Sequence, residues 1–184
     1  MPGGDLAAVI DELRRSMRAP DRRVAGTLYW YSLSGALARL ALVDGRDADR
    51  AGVTVGPGSW PQTDEPPLTA TPLHSLGRRL RTDVSAVAAA SGAPERALWA
   101  IATDSVASAA LASADPTARA DEALAHCAPH APSARFESAA GRGIVVRRGS
   151  CCLLYLCPGT RKCLSCPRQT PEERRRRLSV ASDR

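Results

Sequence analysis

Residues 22–43 read RRVAGTLYWYSLSGALARLALV, an apolar run whose only charge after the opening arginines is Arg39. Trp30, Leu33, Leu37 and Leu40 recur at helical spacing and form one stripe. A stretch of this length is also long enough to be weighed as a membrane span. Thr27, Ser32, Ser34 and Gly35 dilute its hydrophobicity, and no convincing topology signal flanks it, so it reads as the buried central helix of a globular body. Gly45 closes it.

The neighbouring segments carry weaker versions of the same pattern. Leu6, Val9, Ile10, Leu13 and Met17 follow Asp5, a good N-cap, and predict an amphipathic helix over 5–18 that ends before Pro20. Residues 45–72 break all periodicity with Gly52, Gly56, Gly58, Pro57, Pro61, Pro66, Pro67 and Pro72. That region is a loop or short β-structure, with Val53 and Val55 as one short strand and Trp60 most simply a core residue. Helices return over 73–91, 94–113 and 116–127, the first two separated by Gly92 and Pro94, the last opened by Asp115 and Pro116. Segments 134–137 and 143–148 are β-prone and read as a hairpin across Ala139-Ala140-Gly141-Arg142. Thr170-Pro171-Glu172-Glu173 is a capping-box pattern for a short final helix, with Arg174–Arg177 toward its C-terminus. The expected fold is mainly α, a helical body over 1–133 with a small β element and a cysteine-rich region over 134–184.

Charge is distributed unevenly between those two parts. Residues 1–133 carry 13 basic and 15 acidic groups, whereas residues 134–184 carry 12 basic and 4 acidic ones. The positive charge therefore travels with the cysteines. The first twelve residues lack a basic region followed by an apolar run, which gives the expectation of a cytoplasmic protein. In that compartment six cysteines argue against a disulfide framework.

Four of the six form C-C-x10-C-x2-C: Cys151, Cys152, Cys163 and Cys166. Thiolates at such short range select zinc, copper(I) or iron–sulfur clusters over hard cations. Cys163-Leu164-Ser165-Cys166 brings two thiolates to one metal centre on a tight turn. Adjacent residues of an extended strand point to opposite faces, so Cys151 and Cys152 are both ligands only if the backbone kinks between them. A two-iron cluster tolerates that better than one zinc ion, because its ligands spread over two metals. Such a cluster is an anion, and Arg147, Arg148, Arg161, Lys162 and Arg168 are placed to offset its charge.

The run Arg148-Gly149-Ser150-Cys151-Cys152-Leu153-Leu154-Tyr155, then Pro158-Gly159, then Cys163-x2-Cys166-Pro167, resembles the C-terminal signature of the FhuF-like ferric siderophore reductases. Leu98-Trp99 resembles a recurring leucine–tryptophan element of the same proteins. The resemblance implies a 2Fe-2S cluster on Cys151, Cys152, Cys163 and Cys166, a ferric siderophore as substrate and an external electron donor of ferredoxin or flavin-reductase type. It implies no specific nucleic acid and allows peripheral membrane association. Cys157 departs from the pattern and reads as a bystander, Cys127 as a small buried residue at a helix end.

Other chemistry finds little support. His126-Cys127 with His130 lacks a fourth partner at zinc spacing and reads as a surface loop, and His74 has no assigned role. No dinucleotide fingerprint, phosphate loop or His-Glu-x-x-His motif occurs. A nicotinamide or flavin must therefore come with a partner. The alternative reading is a zinc-stabilised four-cysteine module whose basic tail contacts nucleic acid or an acidic protein. A cluster used as a redox sensor, and a siderophore-binding body with an inactive cluster, are further readings.

Overall fold

The structure is a computed structural model that describes residues 5–139 and 143–180. Helix α1 (Leu6–Met17) starts where Asp5 accepts the Ala7 N–H at 3.0 Å and stops where Arg18 turns left-handed, with φ 49°. Asp21 caps α2 (Arg22–Leu42) in the same way, accepting the Val24 N–H at 2.8 Å. Side-chain acceptors suit these positions because the first N–H groups of a helix have no partner within it.

Helix α2 is the centre of the body. It packs against α1, α3 (Pro72–Ser91) and α4 (Glu95–Ala110). The expected stripe of Trp30, Leu33, Leu37 and Leu40 is buried, and so are Val24, Ala25, Leu28, Tyr29, Ala38 and Ala41. A helix wrapped by three others is apolar on most of its circumference. Trp30 Nε1 donates to the Leu98 carbonyl of α4 at 2.8 Å, satisfying the one polar atom of a fully buried indole. Among the described residues no helix is long and apolar enough to cross a membrane.

Small residues set how closely these helices approach. A Cβ added at Gly26 would lie 2.2 Å from Ser91 Cβ, and one at Gly77 would lie 2.4 Å from the His126 carbonyl oxygen. Gly77→Ala is expected to lower stability by about 1–3 kcal/mol through overpacking, because backbone cannot swing aside as a flexible side chain does. A thermal melt checks this.

The irregular stretch after α2 contains β1 (Val53–Val55), as read from the sequence, paired antiparallel with β2 (Pro61–Thr63), which was not. Arg79 of α3 pins this stretch down. Its Nη1 donates to the Ala48 and Ala51 carbonyls at 3.0 and 2.7 Å, and its Nε to Asp83 at 2.7 Å. Both charged residues are almost completely buried. Burial pushes the Asp83 carboxyl upward while Arg79 pulls it back.

Gly92, at φ 72°, ends α3 in the left-handed conformation that glycine adopts without steric cost. Helix α4 ends at Ala110, short of the expected 113. Helix α5 (Pro116–Ala125) begins with Asp115 accepting the Ala118 N–H at 3.0 Å. Strands β3 (Phe136–Ala139) and β4 (Gly143–Val146) pair antiparallel, Phe136 opposite Val146. Residues 140–142 of the expected connection lie outside the described residues. Helix α6 (Pro171–Val180) follows Thr170, whose Oγ1 accepts the Glu173 N–H at 3.1 Å.

Candidate metal centre

Asp104, near the middle of α4, fixes the approach to the cysteines. Its carboxylate accepts the Gly149 N–H at 2.8 and 3.1 Å and the Ser150 N–H at 3.1 Å, and lies 3.5 Å from Arg148 Nε. Asp104 and Arg148 are 6% and 7% exposed, so this is a buried ion pair sealed by backbone amides. Burial raises the Asp104 pKa, and the amides and Arg148 offset only part of that. Burial also works against the charge on Arg148, but Tyr31, Asp104, Cys152 and Cys163 around it outweigh this and hold its pKa above the usual value.

Immediately beyond this anchor the chain turns. Leu153 adopts φ 64°, a left-handed conformation that costs a non-glycine residue about 1–3 kcal/mol. The bend follows the Cys151-Cys152 pair directly, and the Leu153 N–H points to Cys151 Sγ at 3.4 Å. A short 3-10 turn, Leu154–Leu156, then leads the chain back. The second pair sits on the expected tight turn, closed by the Cys166 N–H to the Cys163 carbonyl at 3.1 Å. Gln169 Nε2 donates to the Cys163 and Leu164 carbonyls at 2.6 and 3.1 Å, and Arg177 of α6 donates to the Lys162 carbonyl at 3.0 Å.

These two turns bring the four thiols together in a continuous row. Cys166 Sγ lies 3.7 Å from Cys151 Sγ, Cys151 interacts with Cys152, and Cys152 with Cys163. The Cys151 pKa is lowered, first by its contact with Cys152, whereas that of Cys163 is raised, first by its own contact with Cys152 and then by burial. Cys151 and Cys163 are half-buried, Cys152 and Cys166 buried. Arg148 Nη1 reaches Cys163 Sγ at 3.8 Å.

Three observations test the fit of these residues to a 2Fe-2S cluster. Two thiolates on one tetrahedral metal with bonds of about 2.3 Å lie about 3.8 Å apart, and the Cys151–Cys166 spacing of 3.7 Å matches. Among the described residues no three His, Cys, Asp or Glu side chains converge closely enough to hold a metal ion, so the four thiols stand in pairwise contact and the full ligand set is not closed around one centre. Arg148 Nη2 is buried without a hydrogen-bond partner beside the sulfurs, a spare donor of the kind that hydrogen-bonds cluster sulfur. The donor set fits.

The remaining cysteines and histidines lie elsewhere. Cys157 is 3% exposed and shares the hydrophobic core with Cys152. Its pKa is raised, first by burial and then by Cys152. His126 meets His74 edge to face, ring centres 5.8 Å apart, and His130 stacks on Trp99 at 5.5 Å. Cys127 is fully buried, and burial pushes its thiol up to about 11. At pH 8 its thiolate fraction is then on the order of one in a thousand. Alkylation at that pH is expected to spare Cys127 in the folded protein and to reach it after denaturation, as read by peptide mass spectrometry.

The basic residues of this segment divide by burial. Arg148 is an interior residue between Tyr31, Asp104 and Cys163, and its guanidinium stands 4.8 Å from the Tyr31 ring centre. Lys162 is half-buried and donates to the Arg168 carbonyl at 2.9 Å. Arg147 and Arg161 are exposed. Sequence reasoning missed Asp104 altogether. Its signal was a lone acid between Ile101 and Ala107, three residues to either side on the same buried helix face, a placement that requires a buried partner.

Residues 148–168 match the family model described as the FhuF 2Fe-2S C-terminal domain. No curated protein and no solved structure matches the chain. The matched segment spans the Asp104-anchored amides, the left-handed turn and all four thiols of the row, and over these residues the chain is similar to the 2Fe-2S-binding C-terminal domain of FhuF.

Proposed function

We propose that the protein is a cytoplasmic ferric siderophore reductase with its 2Fe-2S cluster on Cys151, Cys152, Cys163 and Cys166. The observation that carries the reading is the match of residues 148–168 to the FhuF 2Fe-2S domain at the point where the fold gathers the four thiols. A bound 2Fe-2S cluster supplies one electron at a time.

The substrate is iron(III) held by hydroxamate or catecholate oxygens. These hard ligands hold iron(III) far better than iron(II), so one electron loosens the metal. An external donor of ferredoxin or flavin-reductase type provides that electron, and the chelate consumes it as iron(III) becomes iron(II). Half-buried Cys151 and Cys163 place one side of the thiol row near the surface, where such an exchange needs it. Exposed Arg147 and Arg161, four residues before Cys151 and two before Cys163, add positive charge to the same segment, suited to an acidic donor.

The test is the iron, zinc and acid-labile sulfide content of anaerobically purified protein, its visible spectrum before and after dithionite, and its reduction of a ferric trihydroxamate with a ferrous trap present. Iron and sulfide in equal amounts, a bleachable colour and trapped iron(II) are expected. Zinc without sulfide would replace this reading with the structural zinc module.

A further inference from the structure

Between α2 and α4, beside the cysteine turn, lies a groove of about 480 Å³. That volume is in the range of small-molecule sites. Its lining includes Tyr31, Gly35 and Arg39 from α2, Ser108 from α4, and Arg148 and Ser165 from the cysteine segment. Ser165 lies within the Cys163–Cys166 turn, and Arg148 touches Cys163, so the groove opens directly beside the thiol row.

Gly35 has no packing explanation. The other mid-helix glycines, Gly26 and Gly77, are required by contacts of 2.2 and 2.4 Å, whereas a Cβ added at Gly35 would meet nothing within 4 Å. A glycine inside a helix costs about 0.5–1 kcal/mol relative to alanine. Here the cost leaves the groove floor bare, next to Ala36, Ala109 and Ala112.

The polar chemistry of the walls favours an oxygen-rich or anionic guest. Arg39 is exposed, with Asp44 3.7 Å from its Nε, and Arg148, buried against Cys163, adds positive charge from behind the wall. Ser32 and Ser108 add hydroxyls. The acid in the lining, Asp104, is already committed to Gly149, Ser150 and Arg148. Tyr31, 42% exposed, offers a ring face for a carbon framework.

We propose that this groove seats the iron(III) chelate, its oxygen shell toward Arg39 and the Ser32 and Ser108 hydroxyls and its organic arms over Tyr31 and the Gly35 floor. The proposal rests on the reductase reading and adds the place where the substrate binds. It gives Gly35 and Arg39 roles in substrate affinity that involve no contact with the thiols.

Binding of a redox-inert gallium(III) trihydroxamate to the cluster-loaded full chain, and the KM for its ferric counterpart, test it. Gly35→Phe fills the floor, and Arg39→Glu reverses an exposed charge where folding is not at risk. Both variants are expected to keep wild-type iron and sulfide content and visible spectrum while losing about tenfold or more in gallium chelate affinity, with KM rising in parallel. Wild-type affinity and KM in both variants would overturn the groove and leave the reductase reading intact. A cluster-loaded wild type that neither binds the gallium chelate nor reduces the ferric one would overturn both.

Discussion

Cys151→Ser, Cys152→Ser, Cys163→Ser and Cys166→Ser are each expected to yield protein with its 2Fe-2S cluster lost or distorted. Serine oxygen is a harder ligand than thiolate and is a poor donor to a cluster that selects sulfur. Every thiol in the row neighbours another, from Cys166 through Cys151 and Cys152 to Cys163, so removing any one leaves an iron short of a ligand. The loss in bound iron and sulfide is expected to exceed about tenfold, since even outer-shell changes at metal sites cost that much. Cys157→Ser and Cys127→Ser are expected to retain the colour. Cys157 is buried among apolar neighbours and Cys127 lies at the end of α5, its thiol 3.8 Å from the Ala123 carbonyl. Iron and sulfide assays on the six variants decide the matter, and a colourless Cys157→Ser protein would move the ligand assignment to that residue.

The second large effect is expected at Asp104. Replacing it with alanine removes the acceptor of the Gly149 and Ser150 amides and leaves the Arg148 guanidinium buried without its carboxylate partner. Breaking one side of a buried pair costs about 3–5 kcal/mol, chiefly through the charge left behind. The cysteine loop loses its tether to α4 at the same time, so cluster release to a chelator is expected to quicken along with the fall in melting temperature. Asp104→Asn keeps one acceptor oxygen and is expected to lie between wild type and alanine. Asp104→Ala combined with Arg148→Met removes the stranded charge and is expected to recover part of the loss in stability, though not the tether. A wild-type melting temperature for Asp104→Ala would show that the pair holds nothing.

How far the fold was legible in the sequence follows from which forces are local. Caps at Asp5, Asp21 and Asp115 act within one turn of chain; Asp5 and Asp115 read correctly as helix starts, whereas the start of α2 was placed at 22 without its Asp21 cap. Gly92 and the Thr170 capping pattern are equally local. Strand β2 was not legible, because Pro61-Gln62-Thr63 has the composition of a loop and is a strand only by pairing with β1. Likewise, the apolar stripe on α2 understated its burial, because the number of helices that wrap it is set by tertiary packing. Of the site, the four cysteines and their gathering were readable from spacing. The expected kink lay between Cys151 and Cys152, whereas the left-handed residue is Leu153, just after the pair, and leucine carries no turn signal. Asp104 acts on residues 45 and 46 positions away, and no window along the chain contains both ends of that contact.

The membership of the hydrophobic core carries a consequence for how the molecule is born. Cys152 and Cys157 belong to the same buried cluster as the side chains of α1 to α5, yet they leave the ribosome after all of those helices. Synthesis at roughly 5–20 residues per second lets N-terminal elements organise first. The helices form a mould into which the iron-binding segment is pressed, with the Asp104 carboxylate already waiting for the amides of Gly149 and Ser150. The order of synthesis thus favours scaffold before loop, and the cysteine segment takes its shape from a surface already made by the helices.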